Sequence, residues 1–393
     1  EFRRVLFRSG AYDWRTLMGS ATYNGAAGIV PSSLGNDILQ WEEQIQKEVG
    51  LDYGFWDDRI RGTLGYYQKK VDNLLYSDPV PTSSSFSSVY QNIGSLKNRG
   101  IEFDVRVDII KNVQKDLTWN VDFNIARNRT TLEKLNSSDG YFGGGAYDYF
   151  KIEEGGETGR FYGYKDAGRL FMTNEELVGL KTIDPKTGTL KYYRDDYNYE
   201  RQGDVYIMDL DGDGQITADG DRTVIGNANP DFFGGFGSTL YWKGLMLNAV
   251  FSYSVGGDRF WDEEKNSSGD MNVYNTSNRI LDSWTVNPGV NASYPRAMYY
   301  GWGSNSIITD RYIHDASYLR MTALNLSYRL PKHLYKNSIL NAVEFTFQAT
   351  NLFTWTKYPG MDPQGNFSTT YSAFYNMGID YSTYPSARTY NFG

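Results

Sequence analysis

The stretch that decides the fold is Ile101-Glu102-Phe103-Asp104-Val105-Arg106-Val107-Asp108-Ile109, where apolar and charged residues alternate without interruption. Successive side chains of a β-strand point to opposite faces of its sheet, so this alternation predicts a strand with one apolar and one charged face. We expect the odd-numbered residues of this stretch to face outward and Glu102, Asp104 and Arg106 to face inward.

The same period-two pattern recurs along the chain in about ten candidate strands, whereas helix signals are almost absent. A soluble β-sandwich and a transmembrane β-barrel would both show it. Strands longer than the usual ~5–6 residues favour the barrel. So does an aromatic content of 16%, with rings clustered at strand ends where a barrel has its aromatic girdles. The segments concerned include 60–75, 119–125, 235–242, 245–253, 324–330 and 343–349.

The sequence therefore predicts an all-β fold, an antiparallel transmembrane β-barrel whose strands are joined alternately by short turns and long polar loops. Residues 42–132 are expected to form four consecutive antiparallel strands. The long loops are expected at about 135–228 and 258–310, where Gly, Asn, Asp and Tyr are abundant. We expect these loops to be extracellular, opposite the short turns.

Composition excludes several classes of function. The formal net charge is −8 and no basic cluster is present, which argues against a nucleic-acid partner. The chain has no Cys and two His, so thiol catalysis and Cys-based zinc sites are excluded. We find no Gly-x-Ser-x-Gly motif and no acid/base carboxylate pair. We therefore expect that the protein is not an enzyme.

An ordered series of short motifs resembles the SusC/RagA-like TonB-dependent outer-membrane transporters. Each motif is weak alone, but they follow the family's order from about residue 39 to the end of the chain. The motifs are Trp41-Glu42-Glu43-Gln44 with 48–53, 65–75, 92–94 with 98–102, 203–206, 209–214, 225–226 with 229–230, 318–320, 326–331, 351–353 with 357–360, 362–363, and 384–385 with Arg388.

This resemblance implies that residues 10–393 are the C-terminal part of a larger, plugged barrel, of which they form about ten strands and thus an incomplete barrel. It also implies import of oligosaccharides or other large nutrients through the outer membrane of a Gram-negative bacterium. The implied partners are a SusD-like surface lipoprotein, outer-membrane lipid and the TonB complex, which a segment outside this chain would contact. The alternatives are a siderophore-type TonB-dependent receptor and a structural or adhesive barrel. Residues 1–9 are interpreted as a cloning or assembly scar and are excluded from the fold prediction.

One loop resembles a calcium-binding loop. In 209–221, carboxylates at the first, third and fifth positions are able to converge on one ion, because Gly214 permits a sharp turn. The twelfth position is Gly220 where an EF-hand has a bidentate Glu, so a neighbouring carboxylate would have to substitute. An Asp/Gly-rich turn without an ion is the alternative. The candidate ligands are Asp209, Asp211, Asp213, Gln215 and Asp219, with Asp221 as a possible replacement for Asp219. No other cofactor is expected.

The long loops are rich in aromatic residues with polar tips. Such rings are suited to stacking on sugars or covering a protein partner. They would equally suit packing among themselves to order the loops. The candidate substrate or partner contacts are Tyr147, Tyr149, Tyr193, Tyr197, Tyr300 and Trp302.

Overall fold

The structure is a computed structural model. It describes residues 2–6, 12–135, 141–143, 149–173, 182–183, 190–191, 202–269, 276–289, 291–297, 305, 307–336, 339–364, 377–381 and 384–393. The chain divides into two compact units. The first unit comprises residues 1–105, 124–141 and 152–158, and the second comprises residues 106–123, 142–151 and 159–393.

The described chain is built almost entirely of β-strands. They are β1 (Phe2–Leu6), β2 (Met18–Tyr23), β3 (Ala26–Pro31), β4 (Glu42–Phe55), β5 (Ile60–Pro79), β6 (Ser88–Asn112), β7 (Leu117–Leu135), β8 (Tyr141–Gly143), β9 (Phe150–Ile152), β10 (Arg160–Tyr164), β11 (Asp166–Leu170), β12 (Thr182–Ile183), β13 (Leu190–Lys191), β14 (Val205–Ile207), β15 (Arg222–Asn227), β16 (Phe232–Trp242), β17 (Leu245–Val255), β18 (Asp258–Trp261), β19 (Ile313–Asp315), β20 (Tyr318–Arg329), β21 (Glu344–Thr356), β22 (Ile379–Asp380) and β23 (Thr389–Phe392).

Helical segments are single turns. Two are α-helical, Ala218–Asp221 and Asp262–Glu264, and the second continues as a π-helical turn at Lys265–Gly269. The 3₁₀ turns are Thr82–Ser84, Val113–Lys115, Asn278–Asp282, Asp310–Tyr312 and Lys332–Tyr335. None of the helices in the described ranges has the length and apolar character needed to cross a membrane.

The main sheet has ten strands in the order β1-β4-β5-β6-β7-β16-β17-β20-β21-β23. The prediction of an all-β, antiparallel fold with about ten strands is confirmed, and β4 to β7 are the four strands expected over residues 42–132. Phe2–Leu6, which the sequence analysis left out of the fold prediction, pairs antiparallel with β4 from Phe2↔Gln46 to Leu6↔Glu42.

Across the second half of the sheet, apolar and polar rows alternate from residue to residue. Leu247 pairs with Leu240 on β16 and with Leu326 on β20, and the apolar row continues through β21 and β23. The next residue, Asn248, lies in a row of polar side chains on the opposite face, and its amide donates to Thr239 Oγ1 at 2.9 Å. The apolar row is Leu240, Leu247, Leu326, Phe347 and Phe392; the polar row is Thr239, Asn248, Asn325, Gln348 and Asn391.

Aromatic rings lie at both ends of the apolar face. At the short-turn end Trp242, Tyr328 and Phe345 belong to one row, and all three are exposed. At the other end Trp355 is exposed and shares a row with Tyr253 through Leu319. The apolar face therefore has aromatic residues with polar groups at both of its ends, as the clustered rings in the sequence predict.

Ion pairs link neighbouring strands of the first unit. Lys97 Nζ lies 2.8 Å from Glu133 Oε1, and Lys70 Nζ reaches both Asp72 at 2.9 Å and Glu133 at 3.6 Å. These side chains come from β5, β6 and β7, so the ion pairs run across the strands. By strand alternation, Lys97 lies on the same face of β6 as Phe103, so these ion pairs extend the face that carries the apolar residues.

A glycine permits one close crossing of strands in the first unit. Tyr53 pairs with Gly62, and its hydroxyl passes over this glycine to donate to the carbonyl oxygen of Asp104 at 2.9 Å. A Cβ at Gly62 would lie 2.0 Å from that oxygen. The Tyr53 ring also stacks on Phe103, at 6.3 Å between ring centroids. The tyrosine that covers position 62 therefore leaves room only for glycine there.

Candidate functional site: the long connections between strands

The long connections contain packed cores of their own. The first core includes Tyr149, Phe161, Phe260 and Tyr312, all with at most 1% of their surface exposed. It joins strands from two smaller sheets, because β9 and β10 pair with each other and β18 pairs with β19 and β22. The described parts of the segments predicted as polar loops therefore form ordered structure. The second core consists of Leu170, Phe171, Val205, Ile207 and Ile216.

A buried carboxylate organises the second core. Asp204 is 1% exposed, and its Oδ1 lies 2.6 Å from Arg296 Nε and 2.8 Å from Asn305 Nδ2. Asn305 in turn accepts from the Val205 amide at 2.9 Å and, through its carbonyl, from the Tyr312 hydroxyl at 3.0 Å. Because every partner is itself buried or charged, this network fixes three distant segments in one arrangement.

A second carboxylate, Glu264, gathers side chains from three segments. Its Oε1 accepts from Arg279 Nη1 at 2.6 Å and from the Tyr294 hydroxyl at 3.2 Å, while its Oε2 lies 2.5 Å from His314 Nε2. Glu264 is 5% exposed. His314 is thus held by a carboxylate, and no hydroxyl nucleophile is hydrogen-bonded to it among the contacts of the described residues. The arrangement is suited to holding segments together.

Tyr149 lies in the first core. Its side chain has no exposed surface, its ring meets Phe260 edge-on with centroids 4.9 Å apart, and its hydroxyl donates to Asp262 Oδ1 at 3.0 Å. Burial and the Asp262 carboxylate raise the pKa of this hydroxyl far above its ordinary value, so it stays a donor. The prediction that Tyr149 contacts a substrate does not fit this position, because the ring packs internally. The other candidate contacts, Tyr147, Tyr193, Tyr197, Tyr300 and Trp302, lie outside the described residues.

The acidic loop is held by hydrogen bonds from its own backbone. Asp209 accepts from the amides of Gly212 at 2.7 Å and Gly214 at 2.8 Å, and Asp221 accepts from Leu210 and Thr217, both at 2.7 Å. Asp221 is fully buried, which makes it the anchor of the loop. The sharp turn predicted at Gly214 is present, with φ of +81°.

Three carboxylates of this loop approach one another closely enough to share a cation. Asp209, Asp211 and Asp221 each offer an oxygen, and these oxygens lie within 4.8 Å of one another. The predicted ligands Asp213 and Asp219 are not in this group. Asp213 Oδ1 instead accepts from the Gln215 amide at 2.7 Å. Asp221 therefore takes the place that the sequence had assigned first to Asp219.

The crowding of carboxylates changes the pKa of Asp211. The hydrogen bond from the Asp213 amide favours the charged carboxylate, but desolvation and the carboxylates of Asp213, Asp221 and Asp209 together raise the pKa of Asp211 above its ordinary value. A divalent cation would remove that repulsion. Calcium prefers such oxygen ligands, so calcium binding stays a prediction for Asp209, Asp211 and Asp221.

Sequence reasoning missed the polar face of β18. Arg259 pairs with His314 of β19, and Trp261 pairs with Asp380 of β22. The Trp261 ring is contacted edge-on by His314, with centroids 5.9 Å apart, and is covered by the guanidinium of Arg279 at 4.5 Å. The residues Asp258-Arg259-Phe260-Trp261 show no polar/apolar alternation, and the partners of this short strand are distant in sequence.

Comparison with known proteins gives the family. The family model "TonB dependent receptor-like, beta-barrel" matches residues 7–352. TonB-dependent receptor P3 of Formosa agariphila is 33% identical over 381 residues, which cover 93% of this chain and 35% of that protein. TonB-dependent receptor SusC of Bacteroides thetaiotaomicron is 29% identical over 363 residues, which cover 91% of this chain and 32% of SusC. The chain thus spans about a third of the length of these relatives.

Solved structures show the same fold. A structure of the RagAB peptide transporter superposes with a TM-score of 0.71 and 26% sequence identity, covering 99% of this chain and 39% of that one. A RagAB peptide importer in an "open-open" state gives a TM-score of 0.69 and 27% identity, covering 97% of this chain and 38% of that one. Together with the alternating faces of the ten-stranded sheet, these matches show that the chain belongs to the TonB-dependent receptor β-barrel family, among its SusC/RagA-like members.

Proposed function

We propose that the full-length protein is an outer-membrane transporter of a Gram-negative bacterium, and that this chain supplies part of its barrel wall and its extracellular loops. The nutrient would be an oligosaccharide or another large molecule, imported with a SusD-like lipoprotein and driven by the TonB complex. The observation that carries the proposal is the sheet with an apolar face bordered by aromatic rings and an opposite polar face.

The dimensions of this apolar face support a membrane span. On β21 the aromatic borders Phe345 and Trp355 are ten residues apart, which corresponds to about 33 Å along the strand at ~3.3 Å per residue. A strand tilted by about 40° then spans about 25 Å along the membrane normal, the height of the apolar band of outer-membrane barrels. The apolar rows would face lipid, and the polar rows would face the lumen.

A lipoprotein partner is supported by an apolar hairpin. Strands β2 and β3 pair with each other from Met18↔Pro31 to Tyr23↔Ala26. Ile29 is 77% exposed, and Met18 and Val30 are also exposed. Exposed apolar residues grouped on one short element are typical of a contact surface. We therefore assign the hairpin to contact with the lipoprotein.

The partner assignment is tested by Ile29→Lys in the full-length transporter. A charge in the contact surface should reduce the amount of lipoprotein that copurifies. Ile339→Lys is the matched control, because Ile339 is 99% exposed and lies in the connection between β20 and β21 on the short-turn side. Equal copurification from the Ile29 variant and from the wild type would contradict the assignment.

The transport assignment is tested in cells. Deleting the gene should abolish growth on the nutrient, and a full-length protein that lacks its TonB-contacting segment should fail to restore it. Normal growth with that segment removed would contradict TonB-driven import. A defect confined to iron-limited medium would instead identify a siderophore receptor, and normal growth under all conditions would favour an adhesive barrel.

A further inference from the structure

Arg259 lies in the middle strand of the sheet β19-β18-β22. Because strand residues alternate between faces, Phe260 enters the first core while Arg259 and Trp261 share the other face. The groups whose charges act on Arg259 are Tyr358, Tyr318, Asp380 and Asp258. Its guanidinium therefore lies among tyrosines and carboxylates of the long connections.

None of these carboxylates pairs with Arg259. Across the part of the chain that the structure describes, no carboxylate oxygen forms an ion pair with it, and its Nη1 makes one bond, to the carbonyl oxygen of Asp258 at 3.3 Å. The Asp258 carboxylate accepts from the Asn227 amide at 2.8 Å, and Asp380 accepts from the Tyr358 hydroxyl at 2.7 Å. The Nε of Arg259 has neither solvent contact nor a hydrogen-bond partner.

Trp261 supplies a second unused donor two residues further along the same face. Its Nε1 is buried and has no hydrogen-bond partner within the described structure. The ring is fixed on its other sides by His314, Tyr358 and Arg279. Two buried N–H donors on one face of a strand, each in a fixed environment and without an acceptor in the described chain, are suited to an acceptor from outside it.

The chemistry of the donors identifies the acceptor. An arginine fork matches the two oxygens of a carboxylate, and such charge-assisted hydrogen bonds are the strong ones. Burial lowers the pKa of Arg259, while the nearby tyrosines and carboxylates act in the opposite direction. The carboxylates of Asp380 and Asp258 act on Arg259 without bonding to its guanidinium, and an anionic ligand bonded directly to it would offset more of the desolvation cost.

We propose that Arg259 and Trp261 form a binding site for a carboxylate group of the transported nutrient. This inference rests on the proposed transport function and narrows it to nutrients that carry a carboxylate, whether an acidic sugar or a peptide with a free carboxyl terminus. Trp261 would donate to the second oxygen of the group or to an adjacent hydroxyl.

The test uses the full-length transporter in detergent and two matched pairs of probes. Calorimetry compares trigalacturonic acid with its methyl ester, and tetra-alanine with tetra-alanine amide. We expect the acid of one pair to bind about 10- to 100-fold more tightly than its neutral partner, and Arg259→Met to remove that difference. Arg169→Met is the matched control, because Arg169 is exposed and stacks on Tyr206 at 4.1 Å. It should keep the preference.

Two results would overturn the inference. One is the absence of any preference for acid over neutral probe in both pairs, and the other is a preference that survives Arg259→Met. The calorimetric test is independent of the growth test, because binding in detergent does not need the TonB complex. If the probes show no carboxylate preference but growth on a neutral nutrient depends on TonB, the inference is wrong and the transport function is upheld.

Discussion

Replacing Asp362 by Asn will release the last long connection from the sheet. Arg320 of β20 and Asp362 form an ion pair at 2.6 Å, with side chains 5% and 8% exposed. Arg320 Nη1 also donates to Gln364 Oε1 at 2.6 Å, and its Nε donates to Thr354 Oγ1 at 3.0 Å. The Asp362 carboxylate accepts from the Ser386 amide at 3.2 Å, so both ends of the connection meet at this pair.

The free-energy cost of Asp362→Asn follows from the burial of the ion pair. Removing one partner of a buried ion pair leaves an uncompensated charge and costs about 3–5 kcal/mol. At the lower limit, local opening of the segment becomes on the order of 100-fold more frequent. The double variant Arg320→Met/Asp362→Asn leaves no buried charge, so it should be less destabilised than the sum of the single variants.

Hydrogen exchange at the amides of Gln364 and Ser386 measures this opening, because both donate to Asp362. We expect faster exchange in Asp362→Asn by that factor, in the full-length protein. Arg106→Met is a control, since Arg106 is half exposed and lies 3.9 Å from Asp108, a geometry worth at most about 1 kcal/mol. Exchange within twofold of the wild type at both amides would refute the reasoning.

The same pair has a defined pH dependence. Burial acts to raise the pKa of Asp362, but the hydrogen bonds from Arg320 and from the amides of Gln364 and Ser386 outweigh it, and the pKa is lowered. The contribution to stability is therefore fully present above the ordinary carboxyl pKa of about 3.9 and is lost as the pH falls through the lower folded-state value. Slow exchange at these amides should persist at pH 5.

Two further predictions concern the sheet and the acidic loop. Leu247→Lys places a charge in the apolar row two residues inside the aromatic border, and should cost about 1–2 kcal/mol of folding in detergent or bilayers, measured by urea titration of the full-length barrel. Asn248→Lys in the polar row should be tolerated, and equal costs would contradict the assignment of faces. Calcium should give a calorimetric signal that Asp211→Asn weakens at least about tenfold and Asp213→Asn leaves unchanged, and equal effects of the two variants would remove Asp211 as a ligand.

The main sheet was predictable because its signal is local. In the Ile101–Ile109 stretch, the polarity of each residue indicates which face of the sheet its side chain is on, and the same is true of Leu324–Leu330. Hairpin partners such as β16 and β17 adjoin in sequence, so a two-residue turn at Lys243 and Gly244, both with positive φ, also fixes their register. Local polarity and short turns therefore define the strands and their neighbours.

The interior of the long connections was not predictable for the opposite reason. Tyr149 meets Asp262, 113 residues away, and Asn305 meets Asp204, 101 residues away. Nothing in the local sequence marks Tyr149 as a core residue, since a tyrosine suits a core, a ligand or a partner equally. Its role is decided by which distant carboxylate reaches its hydroxyl.

In the acidic loop, backbone hydrogen bonds decide whether Asp219 or Asp221 faces the other carboxylates. Asp219 and Asp221 are equivalent as candidates in sequence. Thr217 caps the helical turn by accepting from the Gly220 amide at 3.0 Å, which leaves Asp219 exposed and turns Asp221 inward to accept from the Leu210 and Thr217 amides. The buried residue thereby becomes the one that faces Asp209 and Asp211.

In the long connections, buried polar groups with hydrogen-bond partners and buried polar groups without them indicate different roles. Glu264 and Asp204 each have two or more donors, so their networks are complete and their effect is to order the connections. Arg259 and Trp261 lie close by on β18 with donors left over. Glu264 and Asp204 show that the long connections are able to pair buried carboxylates internally. Leaving Arg259 and Trp261 open in an ordered surrounding preorganises a site without distorting the fold, which is what recognition of an external carboxylate requires.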